Sequence, residues 1–394
     1  MELKKFEPNK SCSEIPSADI SEVYRLIFRD SSRKIPLEGS FELTFRCNLK
    51  CRHCYCNLSA ADKSARQREL SYQEVCRLID EVADEGCLWL FFTGGEPLLR
   101  NDFWNIYKYT KKKGIIVSIF TNGTLLTPKA IAILKEFPPY RVEITLYGAT
   151  KETYERVTGV KGSYEKCMRG IGLLVQEKIP MSLKTVVISL NYHEVEDMRR
   201  FSQKIGAKFR LDPLIHSRFD GNRQPIDLRV SPEEVIRLDL QDEERIKEWR
   251  DLYVRLYGKV SRPELLFGCG AGLNNFHIDP YGKLCACIMS RKITFNLRQG
   301  NFREGWIDLV AKVRKTPASK NYACNDCPLI SICGQCPGWV IMEHGGRQRA
   351  TKYLCDITKL RIAIFRKELG IDLLSGKGGK LSYGQKEIPK AAVK

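Results

Sequence analysis

The sequence of 394 residues contains no apolar run of the ~18 residues needed to span a bilayer. Its start, Met1-Glu2-Leu3-Lys4-Lys5-Phe6-Glu7, lacks the apolar stretch and small-residue cleavage site of a signal peptide. It has no internal repeat. These absences point to a cytoplasmic protein that is not membrane-bound, in a reducing compartment where structural disulfides do not persist. The 16 cysteines then need another explanation, and clustered thiols read first as metal ligands. The formal charge is +18; the residues after Ile371 supply +3 of it, leaving about +15 on the body. Such a body attracts nucleic acid, an acidic peptide or an anionic partner protein, or else is a lysine-rich solvated surface.

Residues 1–38 form a weakly patterned N-terminal extension. From Phe41 strands and helices alternate. Strands are expected at 41–45, 88–92, 115–120, 142–146, 181–189 and 207–211. Helices are expected at 71–85, with Ser71 and Glu74 as a capping box, and at 103–113, 128–136, 164–177 and 195–205. Six strands alternating with helices argue for a parallel α/β sheet over 39–220, curved into a partial (β/α)6 TIM-like barrel. Residues 221–265 read as a linker, with one long charged helix at 231–257. Between Phe267 and Ile371 stand eight cysteines with Gly and Pro punctuation. This is a small cysteine-rich α+β domain over 266–370, expected to be held by metal rather than by a large core. Residues 371–394 form a basic tail expected to be disordered.

The densest signal is Cys47-x3-Cys51-x2-Cys54, directly after the first strand. Parallel barrels build their chemistry on the loops at the carboxyl ends of strands. Three soft thiolates in one loop suit Fe–S or Zn. A closed Fe–S cluster takes four cysteines, so three leave one iron open. Alternatively Cys56 completes a four-cysteine zinc site. At the ends of the next three strands come Thr93-Gly94-Gly95-Glu96-Pro97, Thr121-Asn122-Gly123-Thr124 and Thr145-Leu146-Tyr147-Gly148. Two glycines let backbone approach a ligand closely, and a carboxylate beside them can pair with an ammonium.

Cys-x3-Cys-x2-Cys closely resembles the signature of the radical S-adenosylmethionine (radical SAM) superfamily, and the strand-end motifs follow in that family's order. The resemblance implies that Cys47, Cys51 and Cys54 hold a [4Fe–4S] cluster whose open iron chelates S-adenosylmethionine. Reductive cleavage then gives a 5′-deoxyadenosyl radical that abstracts hydrogen. His53 matches the position flanking adenine. Gly94, Gly95 and Glu96 match the motif that binds the methionyl amino group. Asn122 falls near the cofactor, Thr145 offers a hydroxyl, and Arg156 matches an arginine that pairs with the cofactor carboxylate. Tyr147 replaces the family's usual Asp.

Cys324-x2-Cys327-x5-Cys333-x2-Cys336, with Cys269, Cys287 and Cys355, resembles the SPASM domain, which usually carries two auxiliary [4Fe–4S] clusters. That resemblance implies three clusters in all. Cys324, Cys327, Cys333 and Cys355 would hold one auxiliary cluster; Cys269, Cys287 and Cys336 would hold the other. Relatives have three residues, not two, between the last pair of the dense run. Residues 277–284 read as a hairpin turning at 279–283, which puts Cys285 and Cys287 on one face of the returning strand. Cys285 is then a candidate fourth ligand; otherwise that cluster has an open iron. Two four-cysteine zinc sites remain open on spacing alone. Cys12, Cys76, Cys87 and Cys167 are scattered, and Cys76 and Cys87 read as small core residues.

The resemblance implies a peptide-modifying enzyme acting on a ribosomally made precursor peptide. A flavodoxin- or ferredoxin-type electron donor and a separate small leader-binding protein are its implied partners. The alternatives are radical SAM modification of a small molecule or of a protein such as a sulfatase. Ile288 stands where sulfatase maturases carry an Asp after the auxiliary cysteine. A zinc-bound nucleic-acid-binding protein is the remote reading, disfavoured because the cysteines are not interleaved with aromatics on a basic element. No residue is singled out as the one that exchanges hydrogen with the substrate.

Overall fold

The computed structural model describes residues 34–56, 58–256, 265–346 and 349–369. Most of the N-terminal extension, Cys12, linker residues 257–264 and the basic tail lie outside the described residues. Six parallel strands form the barrel: β1 (Glu38–Glu42), β4 (Trp89–Thr93), β5 (Ile116–Thr121), β6 (Arg141–Thr145), β7 (Met181–Val186) and β8 (Lys208–Asp212). Two short strands, β2 (Arg46–Cys47) and β3 (Leu58–Ser59), pair with each other apart from the main sheet. The helices return between strands as alternation predicts. Helix Tyr72–Asp84 starts at the Ser71–Glu74 capping box, and helix Pro128–Glu136 starts with Pro128 in its first turn and Thr127 as cap.

Leu90, Phe92, Val117, Ile119, Val142, Ile144 and Leu183 share one face of the sheet and are at most 1% exposed. They pack on Leu78, Ile79, Ile106, Leu134 and Leu174 from the helices. By strand alternation and register, Ser40, Glu42, Phe91, Phe120, Glu143 and Lys184 lie on the opposite, concave face. This is why the strands read as nearly continuous apolar runs with isolated polar residues.

The first strand ends three residues earlier than the sequence pattern predicts. The carbonyls of Thr44 and Arg46 leave the ladder and accept the N–H groups of Gly95 (2.7 Å) and Glu96 (3.0 Å). Strand β7 stops at Val186 because the Asn191 side chain takes the Ile188 N–H (2.8 Å) and turns the chain. The expected single helix at 231–257 is two, Pro232–Leu240 and Glu243–Leu256. Asp242 breaks it by capping Arg245 N–H at 3.1 Å.

The larger correction concerns the second domain. Its hairpin, β9 (Asn275–Ile278) and β10 (Lys283–Cys285), followed by β11 (Thr294–Asn296), extends the barrel sheet. β9 pairs in parallel with β1, giving the strand order β11-β10-β9-β1-β4-β5-β6-β7-β8. Phe276, Leu284, Phe302, Trp306 and Leu309 join the barrel's own hydrophobic cluster. This part of the chain is held by the barrel core, not by metal alone. The hairpin turn is as expected. Asp279 accepts the N–H groups of Tyr281 and Lys283, both at 2.9 Å, and Gly282 has φ +83°. The strand stops at Cys285, however, and Cys287 lies in the following turn.

The β1–β9 seam depends on Gly39, whose paired residue Phe276 lays its ring over the missing side chain. A Cβ at Gly39 would fall 2.1 Å from the Phe276 ring tip, and that ring is wedged against Phe302 at 4.8 Å. Gly39→Ala should therefore destabilise the apoprotein by about 1–3 kcal/mol through overpacking. Urea unfolding measures this; an unchanged midpoint would show that Phe276 yields freely.

Candidate active site

The cysteine loop leaves the end of β1 and is fixed from several sides. Arg46 makes a two-pronged ion pair with Glu69 (Nε 2.9 Å, NH2 3.1 Å) and donates to Ala60 O at 3.2 Å. Lys50 and Arg52 N–H groups bond to Thr158 O (2.8 Å) and Val157 O (3.2 Å), which seats the loop on the end of helix Lys151–Thr158. Leu49 N–H and Asn122 Nδ2 donate to Cys47 Sγ at 3.4 and 3.7 Å.

Cys47, Cys51 and Cys54 share this loop. Burial pushes the Cys47 thiol up to about 12, with Glu96 and Cys54 adding to the rise. Cys51 is also raised, first by burial and then by Cys54 and Cys47. Among the described residues no three His, Cys, Asp or Glu side chains meet at a point fit for a single ion. Cys54 raises both Cys47 and Cys51, and Cys47 raises Cys51, as neighbours on one loop. Cys56 Sγ lies 3.9 Å from Cys54 Sγ.

The strand-end residues surround the loop. Gly94 (φ +133°) and Gly95 face the cysteine loop's own backbone. A Cβ on either would come within 2.2 Å of Thr44 O or 2.3 Å of Arg46 O. The close approach they permit is strand end against strand end. Glu96 is fully buried and accepts Leu98 N–H (3.1 Å), Thr121 Oγ–H (2.8 Å) and Asn122 N–H (2.8 Å). Burial pushes its carboxyl up to about 7 against the pull of these donors. Asn122 Nδ2 also donates to Asn48 Oδ1 at 2.9 Å, tying β5's end to the loop. Thr145 closes β6 and is buried.

His53 is half-buried, its Nδ1 is buried without a hydrogen-bond partner, and burial pulls the imidazole down to about 4. Its ring lies 5.4 Å from Tyr147. Tyr147, in place of the family's Asp, sits among Cys51, Cys54 and Cys47, and its hydroxyl is raised first by burial and then by them. Arg156 lies exposed on its helix and donates to Leu190 O at 2.8 Å. An orphaned imidazole nitrogen, a buried carboxylate with only neutral donors and three thiols in one loop, one buried and two half-buried, fit a thiolate-held iron–sulfur cluster with an amino-group ligand beside it.

The second set of cysteines divides into two neighbourhoods. Burial raises Cys287, and Cys336 and Cys269 raise it further; Cys336 in turn feels Cys269. Cys324 and Cys333 are raised by burial and by a shared set that includes Cys327 and Cys355. Thr358 Oγ donates to Cys333 Sγ and Gln335 Nε2 to Cys355 Sγ, both at 3.3 Å. Cys285 is buried in the sheet, where burial pushes it up to about 12 while Arg291 opposes and Asp279, Glu42 and Cys287 add to the rise. Cys87 and Cys167 are buried in the core, and Cys76 is half-buried.

Sequence reading missed Glu42, His277, Arg291 and Tyr55. Glu42 is 1% exposed and bonds to the other three. A Glu inside a strand otherwise buried on both faces was the available signal, since a buried charge requires partners.

Glu96 generates a pH prediction for the apoprotein. Its folded pKa of about 7 lies above the ordinary 4.5, so the folded state holds this proton more tightly than the unfolded chain. The stabilisation is present below about 4.5 and is lost as pH rises through about 7, by about 3 kcal/mol. Glu96→Gln cannot titrate. The stability difference between wild type and Glu96→Gln should shift by that amount between pH 4.5 and 8 in urea unfolding. Parallel pH profiles would contradict the assignment.

Residues 41–202 match the family model described as the radical SAM superfamily. The chain is 30% identical over 311 residues to mycofactocin maturase MftC of Mycobacterium ulcerans, covering 76% of this chain and 82% of that protein. It is 28% identical over 323 residues to the AdoMet-dependent heme synthase of Methanosarcina barkeri (75% and 90%). It is 28% identical over 282 residues to the PqqA peptide cyclase of Bradyrhizobium diazoefficiens (69% and 73%). Streptococcus suis SuiB, solved with its precursor peptide SuiA, superposes with a TM-score of 0.66 at 18% identity, covering 86% of this chain and 80% of that one. With a match of that length to MftC and the cysteine loop at the end of β1, the chain belongs to the radical SAM superfamily and carries a SPASM-type second domain.

Proposed function

We propose that this radical SAM enzyme abstracts hydrogen from a ribosomally made precursor peptide during its modification. The observation that carries this reading is that peptide-modifying enzymes recur among the relatives aligned over most of the chain. The alignments with the PqqA peptide cyclase, over 282 residues, and with mycofactocin maturase, over 311, are longer than the barrel alone can supply. They extend into the cysteine-rich second domain.

Cys47, Cys51 and Cys54 would hold the cluster that the family implies. Bound there, cluster and S-adenosylmethionine supply one-electron cleavage of the cofactor and a radical able to take hydrogen from carbon. The chain's own residues bind and orient. Glu96 offers a buried carboxylate to the cofactor's amino group, His53 its ring to adenine, and Asn122 fixes Cys47. In the second domain Cys324, Cys327, Cys333 and Cys355 form one ligand set, and Cys269, Cys287 and Cys336 another, with Cys285 beside it. A flavodoxin- or ferredoxin-type protein would deliver the electrons, and a separate small protein would present the peptide leader. The heme synthase match, which spans 90% of that relative, favours a second reading in which the substrate is a porphyrin.

Anaerobic reconstitution should give about twelve irons as three four-iron clusters. Replacing Cys47, Cys51 and Cys54 together with Ala should remove about four of them and all S-adenosylmethionine cleavage. Stoichiometric zinc in place of iron would refute the site assignment.

The substrate readings separate by deuterium transfer. A peptide encoded beside this gene, made with deuterated residues, should label 5′-deoxyadenosine, whereas an iron porphyrin should not. The reverse result replaces the peptide reading with the porphyrin one.

A further inference from the structure

Glu42 ends β1 and lies fully buried on the concave face of the sheet. Its Oε1 accepts the Tyr55 hydroxyl at 3.1 Å. Its Oε2 accepts Arg291 NH2 at 2.8 Å and lies 3.0 Å from His277 Nε2. The other imidazole nitrogen, Nδ1, is 2.7 Å from Ser40 Oγ. Arg291 also donates from Nε to Ile288 O at 3.0 Å, and its guanidinium lies 3.6 Å from the centre of the Phe219 ring. Tyr55 packs on the same ring at 4.6 Å.

The segments that this one carboxylate joins carry the chemistry. Tyr55 follows Cys54 directly, and Arg291 lies four residues after Cys287. The Arg199–Asp242 ion pair, by contrast, joins outer-layer elements and touches neither cysteine loop. A buried charged network in a low-dielectric interior is rigid while satisfied and costly to break on one side. Movement of the Cys287 loop must therefore be felt at Cys54 through Arg291, Glu42 and Tyr55.

We propose that Glu42 is a positioning residue that couples the second domain's cysteine loop to the first, so that Arg291, which lies outside the barrel's cysteine loop, sets how well that loop binds S-adenosylmethionine. The inference rests on the reading that the first loop binds the cofactor. Coupling of this kind is reciprocal and typically changes affinity ~5–150-fold.

The test uses the reconstituted enzyme, with cofactor affinity from equilibrium dialysis and amide hydrogen exchange followed by mass spectrometry. Arg291→Met keeps an unbranched side chain and removes the charged guanidinium. It should weaken S-adenosylmethionine binding roughly tenfold and speed exchange in residues 50–56 as well as 286–292. Glu42→Gln should do the same. The double variant should be no worse than the weaker single one, because both remove one interaction. Arg291→Lys should recover part of the affinity, and Arg199→Met should change neither readout. Unchanged affinity in Arg291→Met, or faster exchange confined to 286–292, overturns the proposal. If Glu42→Gln does not fold, Arg291→Met decides alone. If the wild type binds no S-adenosylmethionine, the proposed function fails instead, and the exchange data still judge the coupling.

Discussion

The geometry of this molecule depends on the pairing of β1 on both its edges. β4 lies on one side and β9 on the other, both parallel to it. The barrel is therefore continued by the second domain at the strand whose end releases the first cysteine loop. In sequence the linker helices Pro232–Leu240 and Glu243–Leu256 stand between β8, at one edge of the sheet, and β9, beside β1. A metal-bearing appendage on a flexible tether would leave the two cysteine groups free to drift. A shared sheet, with Phe276 over Gly39 and a common core, gives them one frame.

The cysteine loop inherits its shape from that frame. Thr44 and Arg46 leave the ladder, and the Gly94–Glu96 turn takes over their carbonyls. Two glycines are required there because carbonyl oxygens occupy the space where their Cβ atoms would be. Glu69 then fixes Arg46 by a nearly buried two-pronged pair, and the end of the 151–158 helix supports the loop from below. The loop that carries the thiols is thus held largely by backbone hydrogen bonds and one ion pair.

Much of this was legible in the residues. The alternation of strands and helices, the Ser71 box, the Asp279 hairpin and the order of the strand-end motifs all rest on local physics, and the structure follows them. What was hidden is non-local. No pattern within residues 267–300 says that β9 will pair with β1, because edge pairing depends on a partner more than 230 residues away. Gly39 and Phe276 are uninformative apart and decisive together. Boundaries shifted where a side chain or a neighbouring turn competed for backbone groups, as at Thr44, Asn191 and Asp242. The close approach of the Gly-Gly-Glu turn to the Thr44 and Arg46 carbonyls is likewise invisible in the turn's own residues.

The two buried glutamates at the carboxyl ends of β1 and β4 show how one environment yields opposite roles. Burial works to raise both carboxyls. At Glu42, Arg291 and His277 reverse that and hold it at about 2, so its charge is spent within the protein. At Glu96 the donors are two backbone N–H groups and a hydroxyl, all neutral, and the carboxyl remains at about 7. A fully paired carboxylate has little left to offer a cation, whereas one held only by dipoles is costly to keep ionised until a cation arrives. Neutral donors fix the position of Glu96 without quenching its charge, which is what a site for an incoming ammonium requires. Glu42 and Glu96 are joined through Arg46, whose backbone carbonyl holds Glu96 N–H and which lies four residues after Glu42. The carboxylate paired with Arg291 and the carboxylate held only by neutral donors are therefore set by the same short stretch of chain.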